Sequence, residues 1–565
     1  MKTFDQFTYE RPNLTAIAEQ HKTLMEQFKV ANSVAQQSEV ISAWNSIAAN
    51  YQTNATLVYI RASVDTRDAF YKTERDYLDD NGPRFEELQS AYYEALVSSQ
   101  FRSELEQEWG TQLFALAQNA VDAFSPAIMP MLQQENKLIS SYQELVASAQ
   151  IDFDGQTLTL AQMGPYLEST EREVRKRATE ARFNFYAQNR QQFDTIYDEL
   201  VKLRHEIATT LGFKNFVELG YIRMDRVDYD AAMVKKFRDQ VRDEIVPVAT
   251  KLYERQAKRI GVPTLAFYDE GLNFLTGNAT PQGDADWIVA NAKIMYSELS
   301  VETKEFFTMM IERNLMDLVA KKGKEGGGYC TFMEDYEVPF IFSNFNGTSG
   351  DIDVLTHEAG HAFQVYSSRN VGIPEYIWPT HEACEIHSMS MEFFTWPWME
   401  LFFKEQTDKY KFGHLSSALL FLPYGVAVDE FQHAVYENPA MTPAQRNAKW
   451  REIEQIYLPH RDYEGLAYLE DGAFWQRQQH IYSSPFYYID YTLAQICALQ
   501  FWQKSREDFT AAWQDYTSLC KLGGSKPFTQ LVASANLNSP FEDGTVAAVI
   551  EAVKVYLNSV EDDKM

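Results

Sequence analysis

Cysteine is nearly absent from this 565-residue chain. The four that occur, Cys330, Cys384, Cys497 and Cys520, form no Cys-x-x-Cys pair and lie far apart. That spacing excludes a dense disulfide framework and fits a reducing compartment, so the expected location is the cytoplasm. Positive charge is also in deficit. The 51 Lys and Arg stand against 80 Asp and Glu, a formal charge of −29 at pH 7. A polyanion repels nucleic acid and anionic lipid, so neither a nucleic-acid nor a membrane partner is expected. The acid excess serves solubility, and an acidic cleft would attract cationic peptides. No window approaches the roughly 18 uninterrupted apolar residues of a membrane span. The stretch MKTFDQFTYERPNLT has no apolar core, so no secretory signal is expected there. Internal repeats and low-complexity linkers are lacking as well.

Aromatic residues are plentiful, at 14%, within a hydrophobic fraction of 45%. That is ample material for a large core, and aromatics also line peptide-binding clefts. Apolar residues recur mostly at three- and four-residue spacing over 13–49, 66–124 and 167–211, the second stretch broken at Asn81-Gly82-Pro83. These read as long antiparallel helices joined by short turns. Residues 151–160 alternate apolar and polar around Asp154-Gly155, a small β-hairpin. Near Lys321 the composition shifts: Gly323, Gly326, Gly327 and Gly328 are too many for a stable helix, and Val338–Phe342 reads as a strand. Helix resumes from Asp351 to about Ser368. The fold expected is mainly α, with an N-terminal helical lobe over 1–200 and a catalytic region over 201–565 forming one continuous body.

The chemistry concentrates at His357-Glu358-Ala359-Gly360-His361. Two His four apart on a helix sit about 40° apart on one face, one turn apart along the axis, so both imidazoles reach one ion. Glu358 beside them projects toward the open side of that ion, where a base is needed. A catalytic zinc needs a third protein ligand and an open position. A metzincin would carry a third His six residues after His361, but position 367 is Ser. A Glu from a second helix is the alternative. The helix 379–394 offers Glu382, Glu385 and Glu392 together with His381 and His387, and spacing alone leaves Glu382 and Glu385 both open.

HEAGHAFQ followed by EIHSMSMEFF resembles the zinc oligopeptidases of the thimet oligopeptidase and oligoendopeptidase F family, the oligoendopeptidase F branch fitting better. Residues 215–229, Gly327–Thr331, Phe345–Thr348, His480–Tyr491 and Gly523–Ser525 agree, so the likeness spans roughly 165–550. The resemblance implies one zinc per chain held by His357, His361 and Glu385, with Glu358 as general base. It implies an elongated, two-lobed helical body around a deep substrate channel, with a small β element beside the metal-binding helix. It further implies that His480 and tyrosines near it steady the oxyanion. Tyr491 matches the last of these. For the other, a spacing of three from Tyr491 favours Tyr488, the expected residue, and a spacing of four gives Tyr487.

Supporting residues are expected from geometry. Asp353, one turn before His357, could accept from its free ring nitrogen, and Glu392 could do so for His361. Gly327, Gly328 and Tyr329 would form a bare edge for an extended substrate, with Asn346 and Gly347 on the same wall. His381 and His387 are expected to pack or hydrogen-bond near the site. The activity expected is hydrolysis of internal bonds in short unfolded peptides. The rivals are a zinc exopeptidase trimming peptide ends and a non-enzymatic helical binding scaffold.

Overall fold

A computed structural model describes residues 2–565. Helices dominate, as the spacing predicts. The first periodic stretch becomes two helices, Leu14–Val30 and Val34–Val64, separated where Ser33 caps the second by accepting from the Gln36 amide. The hairpin forms as Ile151–Phe153 paired antiparallel with Gln156–Leu158. Its turn residues Asp154 and Gly155 both take positive φ, 48° and 78°.

The break expected at Asn81-Gly82-Pro83 does not occur. Helix Ala69–Val97 runs straight through Pro83. A proline removes one N–H and displaces the carbonyl four residues before it. Here the helix Met129–Ala147 supplies substitutes. Asn136 Nδ2 donates to the Asp79 carbonyl at 3.4 Å and Gln133 Nε2 to the Asp80 carbonyl at 2.6 Å. A neighbouring helix thus satisfies what the proline leaves unpaired, a tertiary contact that local sequence cannot announce.

One continuous hydrophobic core runs from Phe7 to Leu557, and a smaller one ties the first helices together around Trp44, Tyr92 and Phe114. Residue 200, where the sequence placed the lobe boundary, lies inside the continuous helix Arg190–Thr210, whose Tyr197, Leu200 and Val201 belong to the main core.

The β element is a three-stranded sheet. Val338–Phe345 is central, Met316–Val319 pairs with it in parallel, and Tyr329–Met333 pairs antiparallel on the other edge. The strand Met316–Val319 was not expected, since four residues carry too little alternation to read. The central strand feeds through Asn346–Ser349 into the motif helix, Gly350–Ser368. That helix packs on the glutamate helix, His381–Phe394, which in turn lies against the tyrosine helix, Tyr488–Glu507. Gly360 permits the first of these contacts. A Cβ at Gly360 would lie 2.6 Å from Ser388 Cα and 2.7 Å from the His387 carbonyl oxygen.

Candidate metal centre

The motif helix presents His357 and His361 on one face, their ring centroids 5.0 Å apart. From the facing helix, Glu385 Oε2 lies 3.2 Å from His357 Nε2 and 3.3 Å from His361 Nε2. Among the described residues these three form the one cluster of His, Cys, Asp and Glu able to hold a metal ion, their donor atoms all within 4.8 Å. Glu382, the alternative left open by spacing, is buried and accepts from Thr380 Oγ1 at 3.0 Å, outside the cluster.

Glu385 is held from both sides. Ser388 Oγ donates to Oε2 at 2.8 Å, and the Tyr487 hydroxyl donates to Oε1. Burial alone would raise this carboxyl, but the His361 and His357 imidazoles overcome it and hold Glu385 well below the usual carboxylate range. Glu358 follows the opposite balance. Burial raises its carboxyl, and the two imidazoles only partly offset that. Its Oε2 is buried without a protein partner, an orphan that a water or substrate group would satisfy. Two imidazole nitrogens, a carboxylate oxygen and a free carboxylate alongside make a donor set that fits a tetrahedral zinc with one open position.

Beyond the cluster the structure corrects two pairings. Glu392, expected to serve His361, instead accepts from His357 Nδ1 at 2.7 Å. Its other oxygen accepts from His414 Nε2, also at 2.7 Å. His414 Nδ1 in turn accepts from the Trp396 indole N–H at 3.1 Å. An indole can only donate, so the proton of His414 stays on Nε2 and points at Glu392. Asp353, expected to serve His357, instead accepts from the Tyr410 hydroxyl at 2.7 Å. It lies on the right helix, but the long helix Thr407–Glu437 reaches it first. His361 Nδ1 has no partner among the described residues.

A cleft of about 1020 Å³ opens over the cluster. Its lining includes His357, Glu358, His361 and Glu385, the loop Gly327–Tyr329, and His480, Tyr487 and Tyr491 opposite. Tyr59, Tyr93 and Gln143 close it from the N-terminal helices. A second cavity of about 910 Å³ shares Tyr93, His381 and Tyr487 with the first, which makes one long channel.

Within the glycine run, Gly328 is the one that lies against the site. A Cβ there would stand 3.0 Å from Val354 Cγ1 and 3.2 Å from Glu358 Oε1. Tyr329 stacks on Phe342 and shares a 2.6 Å hydrogen bond with Ser63 of the N-terminal lobe. Asn346 and Gly347 do not line the cleft. Their amides donate to Asp351 at 2.8 Å each, and Asn346 Nδ2 donates to the Ala161 carbonyl. They brace the start of the motif helix, an Asx-type role that the cleft-wall expectation missed.

Tyr487, not Tyr488, faces the cluster. Tyr488 turns away and packs edge-on against Tyr424 and Phe421. Tyr487 and Tyr491 are four apart with rings 5.2 Å from each other, so the spacing of four holds. His480 Nε2 lies 3.1 Å from the Tyr491 hydroxyl. His381 sits in the cleft 5.2 Å from the Tyr487 ring, while His387 is buried behind it with Nδ1 3.4 Å from Cys520 Sγ. His414, Trp396 and Gln478 were missed. His414 and Trp396 are lone residues with no motif around them, and Gln478 lies in the turn just ahead of the His480–Tyr491 segment, where nothing in the sequence marks its side chain.

Comparison with known proteins bears on the family. The model of the peptidase M3 N-terminal domain matches residues 4–124, and that of peptidase family M3 matches 165–274 and 283–550. The chain is 24% identical over 425 residues to an oligoendopeptidase F homolog of Borreliella burgdorferi, across 70% of this chain and 69% of that one. A solved structure of Pz peptidase A with an inhibitor is 60% identical, with a TM-score of 0.99 over 99% of this chain and 100% of that one. A Bacillus anthracis str. Ames protein provisionally assigned as an oligoendopeptidase F is 56% identical, with a TM-score of 0.95 over the full length of both.

Proposed function

The chain belongs to peptidase family M3, and from that premise we propose that it is a zinc-dependent endopeptidase cutting internal bonds of short, unfolded oligopeptides. The observation that carries this reading is the convergence of two imidazole nitrogens and one carboxylate oxygen on one point, beside a buried Glu358 with a free oxygen. His357, His361 and Glu385 would hold one zinc per chain, and the Glu392–His414–Trp396 chain fixes the proton of His357 on Nδ1, leaving Nε2 to the metal. Bound there, zinc supplies a Lewis acid for the scissile carbonyl and lowers the pKa of a water.

The chain's own residues do the rest. Glu358 accepts the proton of the attacking water at Oε2 and returns it to the leaving amine. Its raised proton affinity suits a group that must both take and give. His480 and Tyr491, on the opposite wall, lie where the tetrahedral oxyanion develops; one such donor is worth about 3 kcal/mol. The edge strand Tyr329–Met333 offers its backbone to an extended peptide, and Gly328 keeps that backbone free of a side chain where it passes Glu358. The channel is enclosed by both lobes, so a folded domain has no access, and an unfolded peptide of modest length does. The acidic surface and four free thiols suit a reducing, cytoplasmic setting without nucleic acid or membrane partners.

The test uses quenched peptides of several lengths, blocked at both ends, with and without chelator, and read by mass spectrometry. Internal cuts that stop on chelation and return with zinc are expected. Glu358→Gln should bind zinc as the parent does and lose nearly all turnover. Cleavage confined to unblocked ends would point to an exopeptidase, and an active Glu358→Gln would remove Glu358 as the base.

A further inference from the structure

The wall facing the metal cluster carries a chain of hydrogen bonds that begins in the protein interior. Tyr424, on the long helix Thr407–Glu437, donates its hydroxyl to Gln478 Oε1 at 2.9 Å. The amide nitrogen of Gln478 lies 2.8 Å from His480 Nδ1. His480 Nε2 lies 3.1 Å from the Tyr491 hydroxyl, which lines the cleft. Tyr424 and Gln478 are both buried. Trp450, Phe474 and Tyr488 pack edge-on around Tyr424 at centroid distances of 6.1, 5.8 and 5.7 Å.

An amide has one accepting end and one donating end. With Oε1 taken by Tyr424, the NH2 end of Gln478 faces His480, and Nδ1 must offer a lone pair. Burial lowers His480 to about 4, so at neutral pH the ring carries a single proton. That proton then sits on Nε2 and is donated to the Tyr491 oxygen. Burial holds the Tyr491 hydroxyl well above its ordinary value, so it keeps its own proton. With its oxygen already accepting from His480, Tyr491 has its O–H free to turn to a cleft ligand, with the Tyr487 hydroxyl as its neighbour there.

We propose that Gln478, oriented by Tyr424, is a positioning residue that locks His480 in its Nε2–H tautomer and so aims the Tyr491 O–H at the carbonyl oxygen of a bound peptide. The second half of this rests on the reading of the cleft as a peptidase site. With the opposite tautomer, Tyr491 would spend its proton on Nε2 and turn only lone pairs toward a developing oxyanion. One buried amide thus separates a stabilising hydroxyl from a repelling one. It also gives Tyr488 a place, as part of the aromatic box that holds Tyr424.

The test reads the tautomer directly. In the metal-free full chain labelled with ¹⁵N-histidine, long-range proton–nitrogen spectra distinguish protonated from lone-pair ring nitrogens, and His480→Gln identifies the signal. The parent should show a protonated Nε2 and an acceptor Nδ1. Tyr424→Phe removes the donor to Oε1 without changing shape and should convert the signal to a tautomer mixture; Gln478→Leu should do the same. In the zinc-loaded enzyme, Gln478→Leu should lower kcat about ten-fold with KM within about two-fold, short of the ~100-fold or more that loss of a whole donor costs. In a Tyr491→Phe background it should cost nothing further. A protonated Nδ1 in the parent, an unchanged signal in both variants, or fully additive kinetic losses would each overturn the proposal. The spectra need no turnover. A parent that cleaves no peptide but shows the expected tautomer would sink the peptidase reading and leave the lock standing.

Discussion

Gly360 lies inside the motif but is not one of the candidate ligands, and alanine there acts on the contact between the two helices that carry them. A Cβ at this position would meet Ser388 Cα at 2.6 Å, the His387 carbonyl oxygen at 2.7 Å and Met391 Cβ at 2.9 Å. Two of these are backbone atoms, so no rotamer change relieves them. Ordinary contact is about 3.5 Å, so the motif and glutamate helices must part by roughly 0.8 Å. The ligand atoms sit on those same two helices, and coordination tolerates only about 0.2 Å. Glu385 Oε2 would withdraw from both imidazoles together. Two energies oppose each other in the fold. Alanine gains about 1 kcal/mol in helix propensity over glycine, and overpacking costs about 1–3 kcal/mol. The expected net is a loss of about 1 kcal/mol in stability, with zinc affinity down at least ten-fold, about 1.4 kcal/mol. Competition against a chromogenic chelator reads the affinity, and urea denaturation of the metal-free chain reads the stability. Gly413→Ala is the control, because the nearest atom to its Cβ is Asn273 Nδ2 at 3.9 Å; it should keep parent affinity. A Gly360→Ala chain with parent affinity and parent stability would refute the view that close approach at Gly360 sets the ligand geometry.

Glu392→Gln, which breaks the link between His357 and His414, should weaken zinc binding about 10- to 100-fold, whereas Asp353→Asn, bonded to Tyr410, should stay within about three-fold; equal effects would contradict the assignment. Tyr491→Phe should lower kcat about 100-fold or more with little change in KM, while Tyr488→Phe, packed away from the cleft, should keep activity within a few-fold; the reverse order would restore Tyr488 as the facing residue. Glu135 is buried and Glu270 largely so, yet both are held at about 2, from an ordinary 4.5, because Arg223 and Arg204 outweigh burial at the first and Arg461 does so with His460 at the second. A depressed carboxylate stabilises fully above its unfolded pKa and loses that stability as pH falls, here between about 4.5 and 2, on the order of 3 kcal/mol each. Denaturation midpoints should therefore fall less steeply below pH 5 for Glu135→Gln than for the parent, and parallel curves would refute this.

What sequence alone determined is the chemistry that is local along a helix. His357, Glu358 and His361 share a face because 3.6 residues make a turn, whatever surrounds them. The same periodicity marked the helical character of the chain, and Asp154-Gly155 marked the hairpin. Tertiary structure decided which faces meet. Glu385 rather than Glu382 reaches the imidazoles because the glutamate helix lies on the motif helix at Gly360. Glu392 rather than Asp353 takes His357, because Tyr410 and His414 come from a separate helix, 57 residues on from Asp353 and 22 on from Glu392, distances no periodicity spans. Tyr487 rather than Tyr488 faces the cluster because the aromatic box around Tyr424 claims the other ring. Pro83 stays inside a helix because Asn136 and Gln133 answer its carbonyls. In each case an individual residue announced a capacity to bond, and packing between distant elements chose its partner.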